Sequence, residues 1–268
     1  MRYSGLLVVA GLVLVICGTA GATTVVVSPG NMDSWAFYET DDTGIIGTGT
    51  GTGEMVTGPV TPPLGVGSAH LMTSSGAGDG SVQLRNSAWA GTRIDDLTAL
   101  SYSTYATAWN GQQLPYLTIW LDTTGDGIRD DRLWFEPAYS EAHAGNGNPN
   151  PQPDVALNTW QTWDALAGMW YSDNHAGAGS NAITLGAYLA LEPDATIIND
   201  AYQGIGGIRI ATGFASPEND FDANVDAFMI GTGTTTYDFE PVPEPATMLL
   251  VGSGLVGLLG VIRRRRTK

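Results

Sequence analysis

Residues 122–131 read Asp122-Thr123-Thr124-Gly125-Asp126-Gly127-Ile128-Arg129-Asp130-Asp131, and this stretch has the residue types and spacing best suited to holding a metal ion. Carboxylates stand at loop positions 1, 5 and 9, a glycine at 6 and the backbone carbonyl of Ile128 at 7, which is calcium-loop spacing. Calcium takes six to eight oxygen ligands, and the glycine allows the sharp turn that folds the carboxylates inward. Two positions depart from the full pattern: Thr124 stands at 3, where Asp or Asn is usual, and Leu133 stands where a bidentate Glu belongs. Asp131 and Glu136 are candidates to substitute, both out of register. The competing reading is a hairpin turn in which Gly125-Asp126-Gly127 serves only the backbone. The expected ligand set is Asp122, Thr124, Asp126, Ile128, Asp130 and Asp131, with Ca2+ as the cofactor. At an extracellular-type Kd of about 10⁻⁴ to 10⁻³ M, ~1 mM calcium adds only ~0.4 to 1.4 kcal/mol, a staple and not a switch.

A second acidic run, from Glu218 through Asp220 and Asp222 to Asp226, is a further cation candidate. In an extended segment, however, Asp220, Asp222, Asn224 and Asp226 share one side, as on a solvated strand face. Trp160, Trp163 and Trp170, with Tyr171, are candidates for an aromatic platform on which sugar rings stack; core packing competes for each, because Trp160 and Trp163 fall on opposite faces of a strand. His70, His143 and His175 lie far apart without a His-x-x-x-His pair, no Gly-x-Ser-x-Gly occurs, and the glutamates show no contextual pairing, so no catalytic residue is assigned.

These side chains need a scaffold, and the chain reads as β-structure. Apolar runs are short, alternate at period two and are separated by Gly, Asn, Asp and Pro. Strands are expected at 24–27, 35–38, 69–72, 81–84, 100–104, 116–121, 132–136, within 160–171, and at 205–211, 225–230 and 236–239. In 116–121, Leu117, Ile119 and Leu121 fall on one face and Tyr116, Thr118 and Trp120 on the other. Residues 44–53 carry too many glycines for a strand interior and read as a loop; without a following helix or lysine they form no phosphate cradle. Leu185, Tyr188 and Leu189, ending near Pro193, predict one short helix over 184–191. The whole predicts an all-β fold, a two-sheet antiparallel β-sandwich of the jelly-roll kind. Residues 97–137 and 205–241 resemble the sugar-binding-type jelly-roll domains of secreted bacterial proteins, a likeness that implies fold only. The strand-flanked loop 122–131 resembles the calcium loops of secreted repeat and dockerin-like proteins more than an EF-hand pair.

The ends of the chain say where it goes. Arg2, the apolar run Leu6 to Ile16 and Ala20-Gly21-Ala22 make a secretory signal peptide over 1–22, cleaved after Ala22. Cys17 leaves with it, so the mature chain has neither disulfide nor thiolate chemistry. Between Thr23 and Glu244, five arginines face all 27 acidic residues, a balance of −22 that excludes nucleic acid as a partner and favours cations. Downstream, Ala246 to Ile262 carries no charge and as a helix reaches ~26 Å, just short of the hydrocarbon core. Arg263, Arg264, Arg265 and Arg266 hold the end in the cytoplasm and place everything upstream outside.

Pro243-Glu244-Pro245, the marginal span and the arginine cluster, in that order, resemble the PEP-CTERM sorting signal of Gram-negative bacteria over 242–268. The resemblance implies that a membrane-embedded exosortase recognises the triplet, removes the span and releases or transfers the protein to the cell surface. It also implies a setting of exopolysaccharide-producing, biofilm- or floc-forming cells. The two prolines suit such a site, since they fix φ and keep the backbone extended. Residues 23–241 are thus expected to form an exported ectodomain, first anchored in the inner membrane and then at the surface or in the matrix, that binds extracellular polysaccharide without catalysis. A polysaccharide-degrading or modifying enzyme on the same fold and a purely structural matrix or adhesion protein are the alternatives.

Overall fold

The computed structural model describes residues 22–40, 46–73, 80–144, 147–177, 179, 181–200, 205–213 and 220–241, so the expected signal peptide, apart from Ala22, and the expected sorting segment over 242–268 lie outside the described residues. In chain order the elements are β1 (Thr23–Val27), β2 (Trp35–Thr40), β3 (Thr52–Thr57), β4 (Gly67–Thr73), β5 (Ser81–Asn86), β6 (Ala99–Ala108), β7 (Tyr116–Asp122), β8 (Asp131–Phe135) and α1 (Tyr139–Ala142). There follow β9 (Gln161–Asp164), β10 (Met169–Ser172), β11 (Ile183–Thr184), α2 (Leu185–Leu191), β12 (Thr196–Ile197), β13 (Ile208–Gly213), β14 (Phe221–Gly231) and β15 (Thr235–Phe239).

The strands form two sheets. A seven-stranded sheet runs β1-β15-β14-β4-β3, with β6 on the other side of β14 and β9 beyond it; an eight-stranded sheet runs β11-β10-β8-β7-β13-β5-β2, with β12 on β7. Pairing is antiparallel except between β1 and β15, which run parallel with Thr23 opposite Thr235. The expected all-β sandwich is therefore present. Among the described residues no helix is long and apolar enough to cross a membrane.

Period-two alternation builds the core. Leu117, Ile119 and Leu121 of β7 turn inward with Leu133 and Phe135 of β8, Val82 and Leu84 of β5, and Ile208 and Ile210 of β13. They meet Leu71, Leu100, Tyr102, Val225, Phe228 and Ile230 from the opposite sheet. Trp35 of β2 spans the layers, with edge-on contacts to Phe228, Tyr237 and Phe239 at 5.2 to 5.3 Å between centroids. The helix expected over 184–191 forms at Leu185–Leu191, its first turn capped by the Thr184 hydroxyl, which accepts from the Ala187 N–H.

Of the glycine-rich stretch, 47–51 carry no strand, as expected, but its last two residues, Thr52 and Gly53, open the strand Thr52–Thr57. A Cβ on Gly53 would lie 2.5 Å from Phe37 Cδ1, and one on Gly51 would lie 2.4 Å from Val82 Cγ2. Here glycine permits close approach to a neighbouring layer, which outweighs its entropic cost.

Candidate functional site

The loop 122–131 joins two neighbouring strands of the larger sheet. Asp122 ends β7 between β8 and β12, with Thr196 as its register partner, and the Asp130 N–H closes the hairpin on the Leu121 carbonyl at 2.9 Å. Gly125 and Gly127 have φ of 76° and 83°, and a Cβ at either would meet nothing within 4 Å, so glycine is required by conformation and not by space. The carboxylate oxygens of Asp122, Asp126 and Asp130 lie within 4.8 Å of one another, so positions 1, 5 and 9 converge.

Backbone donors line the same loop. Asp122 Oδ1 accepts from Thr124 N–H at 3.1 Å and Gly125 N–H at 2.6 Å, and its Oδ2 from Gly127 N–H at 2.8 Å. Asp126 accepts from Ile128 N–H at 2.8 Å. Asp130 Oδ2 accepts from the N–H groups of Thr123 and Thr124 and from the Thr124 hydroxyl at 3.0 Å. These donors, the Thr123 N–H foremost, hold the Asp130 carboxyl below its ordinary range. Three carboxylates on one loop fit a hard cation, while the same hydrogen bonds also satisfy the loop as a plain turn.

The other expected ligands fare differently. Asp131 turns away: its Oδ2 accepts from the Ser172 hydroxyl at 2.7 Å and the Tyr188 hydroxyl at 2.9 Å, and its Oδ1 from Arg132 N–H. Alternation explains this, since adjacent residues at a strand start point to opposite faces and Asp130 already points into the loop. Thr124 lies in the loop with its hydroxyl given to Asp130, and the Ile128 side chain is exposed. Glu136 follows the far end of β8, outside the cluster.

Trp163 and Trp170 are fully buried, which corrects their assignment to a sugar platform. The Trp163 indole N–H donates to the Thr104 hydroxyl at 2.8 Å and that of Trp170 to the Ala165 carbonyl at 2.9 Å, so both polar handles are used inside the core. Trp160 is half-buried, packs on Tyr105 and donates to the Pro59 carbonyl at 3.0 Å. Of the second acidic run, Glu218 lies outside the described residues, Asp220 is exposed and Asp222 is half-buried. Asp222 meets His70 Nε2 at 2.8 Å, but Asp226 is fully buried, accepting from the N–H groups of Leu64 and Phe239. Burial, aided by the nearby Asp238, pushes the Asp226 carboxyl up to about 7. Burial likewise pushes Glu136 up to about 7, against a hydrogen bond from Gln113 and the field of His143.

Sequence reasoning missed a constellation on the outer face of the eight-stranded sheet. Arg85 of β5 and Arg209 of β13 are register partners, and Thr118 of β7 lies beyond Arg209. The Arg85 guanidinium sits 4.5 Å over the Trp120 ring and Arg129 sits 5.0 Å over the same ring; Arg132 lies 4.7 Å over Trp134 and Arg209 5.5 Å from Tyr116. The alternation of Tyr116, Thr118 and Trp120 was legible, but which arginines sat beside them depended on strand order.

A model of the PEP-CTERM protein-sorting motif matches residues 241–266. That match implies export, anchoring at the membrane through the C-terminal segment and processing by exosortase, a membrane protein. The residues concerned, Pro243, Glu244, Pro245 and Arg263 to Arg266, lie outside the described residues. No curated protein and no solved structure matches the chain significantly.

Proposed function

We propose that this exosortase substrate is a surface protein whose β-sandwich, stapled by calcium at Asp122, Asp126 and Asp130, holds extracellular polysaccharide without cleaving it. The observation that supports the binding reading is the pair of solvent-reaching arginines beside β7 and β8, Arg129 at 5.0 Å over the Trp120 ring and Arg132 at 4.7 Å over the Trp134 ring. Planar guanidinium and indole groups are the side chains best suited to hydroxyl- and carboxylate-bearing rings. Calcium binding is supported by the three converging carboxylates. When bound, the ion supplies charge neutralisation that tightens the β7–β8 hairpin next to Arg129.

Co-sedimentation of the full chain with purified exopolysaccharides, with reducing ends assayed in the supernatant, tests the reading. Retention on one polysaccharide class without new reducing ends is expected, and no retention on any class refutes it. One observation favours an enzyme instead: Glu136 is buried with its Oε2 lacking a hydrogen-bond partner among the described residues, and burial pushes the carboxyl up to about 7, the range of a general acid. Release of reducing ends that vanishes on Glu136→Gln would establish that second reading.

A further inference from the structure

The body is strongly acidic, but the hairpin loop 58–66 between β3 and β4 carries no charge. Residues 55–69, between Glu54 and His70, hold no charged side chain in a chain with 27 acidic residues. The loop closes through the Gly58 N–H on the Val66 carbonyl at 2.8 Å. Val60 is 79% exposed, the most of any large apolar side chain among the described residues, and Val66 is 51% exposed, with Pro63 exposed between them. Val60 also has a φ of 53°, left-handed backbone that a β-branched residue rarely adopts. An apolar side chain held in water on strained backbone marks a contact surface.

The loop also covers the carboxylates beneath it. The Leu64 N–H donates to Asp226 Oδ2 at 2.9 Å, and the N–H groups of Val66 and Gly67 donate to Glu240 Oε1 at 2.6 and 3.2 Å. Asp226 and Glu240 are fully buried. A Cβ on Gly65 would overlap Glu240 Oε1, so the backbone there lies directly on that carboxylate. The loop's backbone donors thus point inward to the acids, while Val60, Pro63 and Val66 offer hydrocarbon to the outside.

This loop stands where the chain leaves the body. β6 occupies one edge of β14, so β4, paired with 221–225, and β15, paired with 228–230, lie end to end along the other edge. β15 ends at Phe239 where β4 begins at Gly67, and a Cβ on Gly67 would overlap Pro241 Cδ. The Glu240 N–H is fixed to the Val27 carbonyl at 2.8 Å, which holds the chain to the body up to Pro241. From Pro241 to Ala246, the first residue of the uncharged span, the chain reaches at most ~18 Å when fully extended. The sorting motif anchors the protein at the membrane through that segment, and headgroups take up ~5–7 Å of each leaflet. In the anchored chain the base of the loop therefore lies no more than ~13 Å from the headgroup surface.

We propose that loop 58–66 is a bilayer-docking surface of the anchored chain, with Val60, Pro63 and Val66 resting in the headgroup layer beside the C-terminal span. The occupant is the lipid surface, because the short tether brings it within reach and it accepts apolar side chains on an uncharged mount. Anionic lipid repels the acidic remainder of the body, so docking keeps the β4–β15 junction toward the bilayer and the acidic surface away from it. Three small apolar side chains bind a membrane weakly, and stable attachment takes two signals. Once the span is removed, the loop alone does not hold the body, which is free to leave. The inference concerns the anchored form and is independent of what the ectodomain holds afterwards.

Fluorescence quenching on the full chain tests it, in vesicles of phosphatidylethanolamine and phosphatidylglycerol that contain a headgroup spin-labelled lipid. Cys17→Ser removes the native thiol, and Thr61→Cys or Thr232→Cys carries an environment-sensitive label; Thr232 is exposed in the turn at the opposite end of β15. Quenching by the lipid is expected to be at least about threefold stronger at position 61 than at position 232, and Val60→Asp is expected to lower it about threefold with the tether unchanged. Aspartate tolerates the left-handed φ at position 60 better than valine, so this variant keeps the fold, as a melting curve checks. Equal quenching at the two positions overturns the inference. So does quenching at position 61 that Val60→Asp leaves unchanged, since the tether alone would then bring the loop to the lipid. Protection of the label from iodide without lipid quenching also overturns it, by showing that a second copy of the chain covers the loop. None of these outcomes bears on polysaccharide retention, which co-sedimentation reads separately.

Discussion

Removing Asp122 and removing Asp126 have different consequences, and the difference separates a metal site from a turn. Asp122 accepts three backbone N–H groups at 3.1, 2.6 and 2.8 Å and is itself largely buried, at 8% exposure. Asp122→Ala therefore strips three donors of a charged acceptor. At ~1 kcal/mol each for partly solvated donors, the loss is about 2–3 kcal/mol without metal, and the ~0.4 to 1.4 kcal/mol supplied by ~1 mM calcium is forfeited on top of it when the ion is bound. Asp126 is exposed and accepts a single N–H, so Asp126→Ala costs less than ~0.5 kcal/mol by itself. If calcium is held, the same change also forfeits the ~0.4 to 1.4 kcal/mol supplied by ~1 mM calcium. For a body of this size, 1 kcal/mol moves Tm by about 2–4 °C. Scanning calorimetry is thus expected to show Asp122→Ala lowering Tm by about 4–12 °C in chelator and by about 5–18 °C in calcium. Asp126→Ala is expected to lower it by about 1–8 °C in calcium and by no more than about 2 °C in chelator. Equal losses for Asp126→Ala in the two buffers would remove the metal and leave the hairpin turn.

Stability is expected to fall between about pH 5 and about pH 8. Burial pushes the Asp226 and Glu136 carboxyls up to about 7 in the folded chain, against ordinary values of 3.8 and 4.5, so folding binds their protons more tightly. Their contribution is complete below the unfolded values and is lost as pH rises through 7, on the order of 3 kcal/mol for each group. Asp130, whose carboxyl is lowered, contributes the opposite slope only as pH falls below the ordinary carboxylate range. Denaturant titrations at the two pH values check this, and a flat profile, or one unaffected by Asp226→Asn, would contradict it. Gly53→Ala places a methyl 2.5 Å from Phe37 and 3.0 Å from Val82, and is expected to destabilise by about 1–3 kcal/mol in the same assay; a neutral effect would contradict the close approach of β3 to Phe37. Trp163→Phe leaves the Thr104 hydroxyl without its donor and is expected to cost about 1–3 kcal/mol while polysaccharide retention stays intact. Lost retention at unchanged stability would restore Trp163 to a binding platform.

What the sequence made legible follows from the range of each interaction. Period-two alternation is local, so β5, β7, β8 and β14 could be read from the chain, as could α2 from its Thr184 cap and the spacing of Leu185 and Tyr188. The convergence of Asp122, Asp126 and Asp130 was equally local, a matter of loop spacing. Gly53 misled because its role depends on Phe37 and Val82, distant in sequence. The two-residue strands β11 and β12 carry too little pattern to announce themselves and exist through pairing with β10 and β7. Asp226 looked like part of a solvated face because alternation shows which residues share a side, not what covers it; the backbone at Leu64 covers this one. The arginine row is the same lesson at larger scale: β5 and β13 are neighbours only through the order of strands in the sheet.

The central claim is that the sorting signal delivers a polysaccharide-holding sandwich to the outside of the cell. Fractionation of exosortase-competent cells expressing the full chain tests it most directly. Residues 23–241 are expected to travel with the extruded polysaccharide, to be released when that polysaccharide is enzymatically digested, and to lack the segment 246–262. A chain that stays in the membrane fraction with its acidic body protected from added protease, or that leaves the polysaccharide at a simple buffer wash, would contradict the account.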